Sequence, residues 1–472
     1  MHKPITSPQY AQNLRCQNQR SHRIMDSSHK NLIYCVILAL LILLCLQVFK
    51  SENDNLEIIS YSSDSPHPSI VSEAIKLEQR SHTHQLLDEK SKHKVTAHEN
   101  LVKVVNSPTR VNLFDFTQCS MTNCFDFSRC RTNETIGVYI VPRSPERPTN
   151  YSEIGESNII HANIMKIIRN SKYHQPDPEK ACLRILEDDT LDRDPLSKSF
   201  KMNLPNLLTP EHQYGLNYLV FNLYSGSWPD YRENDFSDFN IGAAILAKAS
   251  NSWTNHRVNF DISIPLFSHM HPVHNWNQTT ARGILARPYL LTFKGKRYVY
   301  GYNSETRNSL YHLNNDRDVI LLTTCRHGKK WRESTDERCM QDDSIYNRFD
   351  FVDLMIKSKF CLTPRGRRLG SFRYLEAMSY GCIPVIMSDG WVKPFDEIID
   401  WSEAVVQHDE DSILLVPDML RDISNKSITT MHDSISKIYE KYFSTTEKII
   451  LTTLEIINLR VKQHSAEQDR SM

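Results

Sequence analysis

The strongest constraint on this chain is an unbroken apolar run near its N-terminus, residues 32–46 (LIYCVILALLILLCL). The run continues to residue 49 beyond a single polar residue, Gln47. Eighteen helical residues at 1.5 Å each span roughly 27 Å, close to the ~30 Å hydrocarbon core of a bilayer. The run therefore predicts a single transmembrane anchor over residues 32–49.

Charges on the two sides of the run predict its orientation. The segment before it carries five Lys or Arg residues against one Asp, whereas acidic residues follow it closely. The positive-inside rule places residues 1–31 in the cytosol and everything after residue 50 in the lumen of the secretory pathway. A cleaved signal peptide is the main alternative, although the long polar leader argues against it. A buried core helix is another, although no polar stripe interrupts the run.

Cysteines and sequons agree with a lumenal location. The cysteines after the anchor are even in number, as an oxidising compartment favours: Cys119, Cys124, Cys130, Cys182, Cys325, Cys339, Cys361 and Cys382. Their spacing leaves the pairing open and does not resemble a zinc site. Candidate glycosylation sites are Asn133, Asn150, Asn277 and Asn425. Basic and acidic residues number 56 each, which argues against a general nucleic-acid binder.

Composition divides the lumenal part into a stem and a globular region. Residues 50–112 are rich in Ser, His, Lys and Glu and poor in aromatics, which is typical of a flexible stem. Beyond them, strand-like apolar runs alternate with helical patterns, which indicates an α/β fold with parallel sheets. We predict two Rossmann-like lobes with a cleft between them, 113–290 and 291–427, and a helical segment, 428–472.

The individual elements follow from apolar runs and from helical periodicity. The predicted strands are 136–141, 181–187, 217–224, 287–295, 319–324, 359–364, 382–387 and 404–407. The predicted helices are 156–170, 239–250, 346–358, 371–381 and 428–461. We expect the last of these helices to pack across both lobes.

The most informative segment, residues 360–391, contains a predicted strand, a loop rich in Gly and Arg, and a helix (PRGRRLGSF at 364–372). A helix N-terminus offers unpaired N–H groups, and guanidinium groups bind phosphate oxygens. The loop predicts an anion site that stabilises a nucleoside diphosphate without a metal: Arg365, Arg367, Arg368 and Arg373. Glu376 lies on the same helical face as Arg373 and can accept hydrogen bonds from ribose hydroxyls. The alternative is a set of solvated charges, with Glu376 paired to an arginine.

Further candidates flank this segment. Lys294 and Lys296 are two residues apart, so on a strand their side chains face the same way. They are either a pair of cationic contacts for a ligand or part of an exposed strand edge. Tyr346 or Phe351 can stack on a flat base, or both can be core aromatics. His327 alone is more typical of a structural residue than of a catalytic one.

The acceptor side is predicted from a second region. Trp228 and Tyr231 follow a strand-like run and can stack on sugar faces. Asp192 and Asp194 are the candidates for the base that takes a proton from an acceptor hydroxyl. Capping or a salt bridge to Arg193 is the alternative role for these aspartates.

Together these segments resemble the exostosin family, glycosyltransferase family 47, and in particular its exostosin-1 branch, which builds heparan sulfate. The resemblance covers about residues 113–460 and includes CFDFSRC (124–130), TLDRD (190–194), FNLYSGSWPDY (221–231), NFDISIPLF (259–267), FKGKRY (293–298), LLTTCRHGK (321–329), PRGRRLGSF (364–372) and TTLEIIN (452–458). It implies a GT-B architecture and inverting transfer of glucuronic acid from UDP-glucuronate to a terminal N-acetylglucosamine.

The resemblance also implies roles for individual residues. The implied donor pocket contains Lys294, Lys296, Tyr298, Arg307, His327, Tyr346, Phe351, Arg373 and Glu376, and the acceptor side contains Leu196, Trp228 and Tyr231. The implied disulfides are Cys119–Cys124, Cys130–Cys182, Cys325–Cys339 and Cys361–Cys382. No cofactor or metal is expected. The implied partners are a heparan sulfate acceptor and an exostosin-2-like protein, in the Golgi or endoplasmic reticulum membrane.

Two features depart from the family pattern. Animal exostosins carry a second, metal-binding transferase domain after the matched region, whereas this chain ends at Met472. We therefore expect it to lack N-acetylglucosamine transfer and to need a partner to polymerise. Tyr218 also stands where the family usually has His. The alternatives are transfer of another sugar, such as galactose or xylose, and a non-catalytic subunit, against which the full Arg and Glu set argues.

Overall fold

Parallel strands joined by helices build the part of the chain that the structure describes. The structure is a computed structural model, and it describes residues 115–130, 135–143, 156–233, 235–272, 283–301, 303–327, 331–333 and 335–471. All of them belong to one compact unit, Val95–Met472. The predicted cytosolic tail, anchor and stem lie outside the described residues, as do the sequons at Asn133, Asn150 and Asn277. Among the residues described, no helix combines the length and the apolar character that crossing a bilayer requires.

Five short parallel strands form the N-terminal half: β1 (Val138–Val141), β2 (Leu183–Leu186), β3 (Leu219–Asn222), β4 (Ile245–Lys248) and β5 (Ile262–Ser263). β1 pairs with β2, and β4 lies between β3 and β5. A parallel bridge between Arg184 and Tyr218 connects β2 to β3. Helix α1 (Glu156–Arg169) buries Ile160, Ile164 and Ile168, which lie at helical spacing.

The C-terminal half contains a parallel sheet in the order β7-β6-β8-β9-β10: β6 (Tyr289–Lys296), β7 (Val319–Thr324), β8 (Ser358–Pro364), β9 (Ile383–Met387) and β10 (Val406–Gln407). Its helices are α2 (Glu305–Ser309), α3 (Cys339–Tyr346), α4 (Phe351–Ile356), α5 (Phe372–Ser379) and α6 (Val416–Arg421). β7 and β9 are buried along their whole length, as expected for parallel strands with both faces covered.

The α/β architecture and all the predicted strands are confirmed, whereas the predicted helix 239–250 is wrong. Gly242 has a positive φ of 57°, and a Cβ there would lie 2.3 Å from the carbonyl oxygen of Tyr214. Residues 245–248 instead form β4, which pairs with a strand on each edge. A short apolar run fits either element, and here pairing on both edges stabilises the strand.

The predicted C-terminal helix is in fact two helices, α7 (Asn425–Ile438) and α8 (Thr446–Ser471), separated by the π-helical turn Tyr439–Phe443. Helix α7 contributes to the apolar core of the C-terminal sheet, and α8 contributes to that of the N-terminal half. The side-chain oxygen of Asn458 accepts a hydrogen bond of 3.2 Å from the amide of Ile136. The segment therefore packs against both halves, as predicted.

All four implied disulfides are present: Cys119–Cys124, Cys130–Cys182, Cys325–Cys339 and Cys361–Cys382. The last of them joins β8 to the residue before β9, with the two Cα atoms 5.7 Å apart. Since the arginine-rich loop and α5 connect these two strands, this disulfide braces the chain on both sides of the loop.

The two halves meet through close backbone contacts at this loop. The amide of Gly370 donates a 3.0 Å hydrogen bond to the hydroxyl of Ser250, and the amide of Val392 donates one of 2.8 Å to the carbonyl of Asn251. A Cβ on Gly370 would lie only 2.7 Å from the carbonyl oxygen of Ala249. Glycine is therefore required where the loop touches the N-terminal half.

We expect Gly370→Ala to lower the free energy of unfolding by about 1–3 kcal/mol, because the new methyl group would push the two backbones apart. Thermal and chemical unfolding of the purified protein measures the change. Gly283→Ala is the matched control, since a Cβ there meets nothing within 4 Å. Equal stability of the two variants would contradict the proposed packing constraint.

Candidate functional site

The order of the strands places a topological switch point between β6 and β8. The chain leaves β6 toward β7 on one side of the sheet and leaves β8 toward β9 on the other. In open parallel sheets, ligands bind outside the carboxyl ends of the strands at such a point. β6 ends at Lys296 and β8 ends at Pro364. The arginine-rich loop 365–371 follows Pro364 directly, so the predicted anion site lies at the switch point.

Helix α5 begins as the sequence predicts, and it carries the predicted Arg and Glu pair. The hydroxyl of Ser371, its N-cap residue, accepts a hydrogen bond from the amide of Arg373 at 3.3 Å. The guanidinium of Arg373 lies 3.1 Å from the Glu376 carboxylate and donates a 2.5 Å hydrogen bond to the carbonyl of Lys294. It also lies 4.4 Å from the centre of the Phe351 ring. Arg373 is thus fixed between β6, α4 and its own helix.

One donor of Arg373 is left over. Its Nε is buried and has no hydrogen-bond partner among the residues that the structure describes. A buried guanidinium N–H without a partner is costly, and a bound oxyanion would satisfy it. This donor lies in the first turn of α5, where the helix dipole also favours negative charge. Arg373 therefore keeps an unused donor for an anionic group, which can reach it once the groups that cover this N–H move aside.

Arg307, which comes from α2, holds the strand ends together. Its guanidinium donates hydrogen bonds to three backbone carbonyls, those of Lys296 at 2.9 Å, Arg365 at 2.9 Å and Pro364 at 3.1 Å. Burial lowers the pKa of Arg307, and the positive charge of Arg373 lowers it as well. Arg307 thus braces β6 against β8. These hydrogen bonds occupy most of its N–H donors, so few remain for a ligand.

Two lysines of β6 differ in their surroundings. Lys294 is half-buried, donates to the carbonyl of Phe349 and lies 4.2 Å from the centre of the Tyr346 ring. Burial lowers its pKa. Lys296 is exposed at the end of the strand. Tyr346 and Phe351 are therefore cation-contacting rings at the edge of the site, and Lys296 is the more accessible cation.

Aromatic rings from both halves surround Arg367. Its guanidinium lies 4.4 Å from the Tyr298 ring, 5.1 Å from the Trp228 ring and 5.5 Å from the Tyr231 ring. Tyr298 also contacts His327 edge to face at 5.2 Å. Burial lowers the pKa of His327, and three nearby cations lower it further: Lys296, Arg367 and Arg307. The structure thus brings most of the residues predicted for the sugar-donor pocket together around Lys296, Arg307 and Arg367, and we call this part of the molecule the cationic region.

The three arginines of the loop and Arg373 of α5 do not form one cluster. Arg367 and Arg373 face the cationic region, whereas Arg365 lies 3.5 Å from the Glu410 carboxylate. Arg368 points to the N-terminal half and forms a 2.6 Å ion pair with Asp194. Three of the four predicted phosphate ligands are thus paired with carboxylates, since Arg373 also pairs with Glu376, as the alternative interpretation expects.

The predicted acceptor residues lie on the N-terminal side of the loop. Leu196 is 72% exposed and Trp228 is 46% exposed, and Tyr231 is half-buried. The buried carboxylate of Asp192 accepts hydrogen bonds from the Asp194 amide at 3.0 Å and the Ser197 hydroxyl at 2.5 Å. Burial raises the pKa of Asp192.

Asp194 is the more accessible of the two aspartates. One of its oxygens accepts from the amide of Leu196 at 3.0 Å, and the other is bound by Arg368. Both aspartates thus accept from amides two residues further along the chain, as the capping alternative expects. Arg193 itself is buried against Asp238 and donates to the carbonyl of Lys201.

Sequence reasoning missed a buried charge cluster beside the loop. Burial lowers the pKa of Lys248, at the end of β4, to about 8, and the same residue donates to the backbone carbonyl of Glu233. Burial raises the pKa of the Glu233 carboxyl, and Lys248 and Arg365 oppose that shift. No motif marks these residues; the only signal is that Glu233 closely follows Tyr231.

One trio of described side chains has the spacing of metal ligands, Cys325, Asp336 and Cys339. The two cysteines are bonded to each other, so their thiolates are not available to a metal. Asp336 is also paired with Arg297 at 2.6 Å. This trio is therefore a structural cluster at the end of β7.

Comparison with known proteins relates the region to one family. Residues 132–423 match a family model described as Exostosin GT47 domain. The chain is 47% identical over 358 residues to Exostosin-1a of Danio rerio, which covers 74% of this chain and 47% of that protein. It is 47% identical over 354 residues to Exostosin-1 of Drosophila melanogaster, which covers 73% and 46%. The chain thus spans about half the length of the curated relatives it matches.

Similarity to solved structures is weaker. A lipopolysaccharide outer core galactosyltransferase, WaaB in its apo form, aligns with a TM-score of 0.34 and 11% identity, over 68% of this chain and 99% of that one. A glycosyltransferase from Rickettsia africae aligns with a TM-score of 0.35 and 9% identity, over 70% and 99%. Likenesses of this size support no conclusion about the activity of this chain.

We expect Arg307→Lys to lower the free energy of unfolding by about 2 kcal/mol, because one ammonium group cannot reach three carbonyls on two strands. Chemical unfolding measures the loss. Arg326→Lys, at an exposed ion pair with Asp343 after β7, is the control and should change stability by less than about 1 kcal/mol. If Arg307 contributes no more than Arg326, it is not a brace.

Proposed function

Because this chain belongs to the exostosin GT47 family of glycosyltransferases, we propose that it transfers glucuronic acid from UDP-glucuronate to a terminal N-acetylglucosamine of heparan sulfate, with inversion. In this proposal the two halves are the lobes of a GT-B transferase. The C-terminal lobe binds the nucleotide at the β6–β8 switch point, and the N-terminal lobe presents the acceptor.

The observation that carries the proposal is the buried, unsatisfied Nε of Arg373 at the first turn of α5. A diphosphate oxygen placed there would receive this N–H and the favourable field of the helix N-terminus. Glu376, one turn later, would accept hydrogen bonds from the ribose hydroxyls. Lys296 and Arg367 would add positive charge on the side toward the acceptor.

The reaction needs charge stabilisation and one proton acceptor. The acceptor hydroxyl oxygen attacks the anomeric carbon, the bond from that carbon to the diphosphate oxygen breaks, and UDP leaves with the electron pair. Arg373 and its neighbouring cations stabilise the charge that develops on the diphosphate. The hydroxyl proton passes to a carboxylate on the N-terminal side, for which Asp194 is our first candidate and Asp192 our second.

The remaining assignments of the proposal rest on the family and on the sequence. We propose that Trp228, Tyr231 and Leu196 hold the acceptor sugar, since aromatic and apolar side chains are exposed beside the cationic region. We also propose a type II membrane protein of the Golgi or endoplasmic reticulum that polymerises heparan sulfate with an exostosin-2-like partner. Asn425, the described sequon, is exposed and open to glycosylation.

We predict that the full-length chain releases UDP from UDP-glucuronate in the presence of an oligosaccharide that ends in N-acetylglucosamine, when tested with and without its partner. Radiolabelled UDP-glucuronate, UDP-galactose, UDP-xylose and UDP-N-acetylglucosamine form the panel. Transfer of a different sugar would correct the donor. Absence of transfer by any donor, with the partner enzyme depending on this chain, would indicate a non-catalytic subunit.

Glu376→Gln should lower kcat/KM for UDP-glucuronate roughly 10- to 100-fold, the loss expected for a hydrogen bond to a charged group. Initial rates at varied donor concentration measure it, and thermal unfolding verifies the fold. Glu440→Gln is the control, because Glu440 forms an exposed ion pair with Lys448 in the C-terminal segment. Unchanged donor kinetics in Glu376→Gln would remove this residue from the nucleotide site.

A further inference from the structure

Arg368 belongs to the arginine-rich loop 365–371, which follows β8 of the C-terminal half, but its side chain contacts the N-terminal half. Its Nε donates a 2.6 Å hydrogen bond to the carbonyl of Ser225. Its Nη2 donates to the carbonyl of Gly226 at 2.7 Å and to the carboxylate of Asp194 at 2.6 Å. The side chains of Arg368 and Asp194 are only 18% and 16% exposed. These bonds are therefore charged and largely shielded from water.

The groups that Arg368 binds belong to two separate segments of the acceptor side. Asp194 lies in the TLDRD loop, which carries both candidate bases. Ser225 and Gly226 begin the segment that leads to Trp228. Gly226 has a positive φ of 71°, and a Cβ there would lie 2.3 Å from the carbonyl oxygen of Arg232, so this segment is tightly folded. One guanidinium thus fixes the proton-accepting loop and the sugar-stacking segment relative to each other.

The neighbouring residue extends the same connection. Arg367 lies against the rings of Trp228 and Tyr231 from one half and of Tyr298 from the other. Arg368 itself lies 5.1 Å from the Tyr231 ring. Two consecutive arginines therefore link the loop before α5 to the acceptor side, one through aromatic faces and one through hydrogen bonds.

We propose that Arg368 is a positioning residue that aligns the acceptor side with the arginine-rich loop and is not a ligand of the diphosphate. This inference rests on the proposed transferase function and refines it. A diphosphate that used Nε and Nη2 of Arg368 would have to displace the carbonyls of Ser225 and Gly226 and the carboxylate of Asp194. Lysine cannot replace this planar arrangement of donors, because its single ammonium group lacks the fork.

The test is the Arg368→Lys variant of the full-length chain, which keeps the charge and removes the fork. We expect kcat/KM for the oligosaccharide acceptor to fall about 10- to 100-fold, the loss associated with hydrogen bonds to a charged group. We expect the dissociation constant of UDP, measured by calorimetry, to stay within about twofold. Arg373→Lys should show the reverse pattern, with weakened UDP binding.

Two comparisons separate alignment from a general loss of structure. Arg421→Lys makes the same replacement at an exposed ion pair with Asp418 and Asp318, far along the chain from the loop, and should change neither quantity. Combining Arg368→Lys with Asp194→Asn should lower the free energy of unfolding by less than the sum of the two single losses, because both changes break the same ion pair. Additive losses would mean that the two residues act independently.

Hydrogen–deuterium exchange provides a readout that does not need turnover. In Arg368→Lys, amides of residues 192–197 and 224–231 should exchange several-fold faster than in the wild type, while amides of α8 should not change. If the wild-type chain transfers a sugar from another UDP-sugar, only the proposed identity of the donor is wrong, and the kinetic comparison is made with that sugar. If the chain transfers no sugar, the proposed transferase function is wrong, and the exchange measurement decides whether Arg368 holds the two acceptor-side segments.

Three results would overturn the inference. Weakening of UDP binding by Arg368→Lys as large as that by Arg373→Lys would make Arg368 a diphosphate ligand. Unchanged acceptor kinetics in an active enzyme would remove its positioning role. Unchanged exchange in the two acceptor-side segments would show that Arg368 does not hold them.

Discussion

The geometry of the site depends on the close backbone approach between the arginine-rich loop and the N-terminal half. Gly370 lies against Ala249 and bonds to Ser250, both just beyond the end of β4. Because β4 and β8 both point their carboxyl ends toward this contact, the loops that follow them meet face to face. Side chains from two separate sheets can therefore converge on one region without a long connecting loop.

Arginine serves two different purposes around this contact. Arg307, Arg297 and Arg368 are bound by several acceptors each and connect pieces of backbone or carboxylates. Their desolvation is offset by multiple charged hydrogen bonds. Arg373 instead retains a buried N–H without a partner among the described residues. Buried guanidinium nitrogens without a hydrogen-bond partner in the described part of the chain also occur on Arg143, Arg193 and Arg338. The position of Arg373 in the first turn of α5, at the switch point, is what makes it the candidate ligand.

The sequence predicts the architecture well because buried parallel strands read as apolar runs between turn signals. It fails at β4, where Gly242 and pairing on both edges override an apparently helical run. The position of the arginine-rich loop, the start of α5 and the pairing of Arg373 with Glu376 are also predictable, since they depend on residues close in sequence. The partners of Arg365 and Arg368 are not, because Glu410 and Asp194 reach them only through the tertiary fold. The same holds for the buried Lys248 and Glu233.

The C-terminal segment passes from one half of the molecule to the other at the π-helical turn Tyr439–Phe443. This passage also constrains the order in which the two halves can fold. Helix α8 contributes to the core of a half whose strands are synthesised much earlier, so the core of that half is incomplete on the ribosome until α8 has been synthesised. Until then its apolar face is open to solvent. Chaperone binding before α8 is synthesised would therefore include the apolar face of β1–β5.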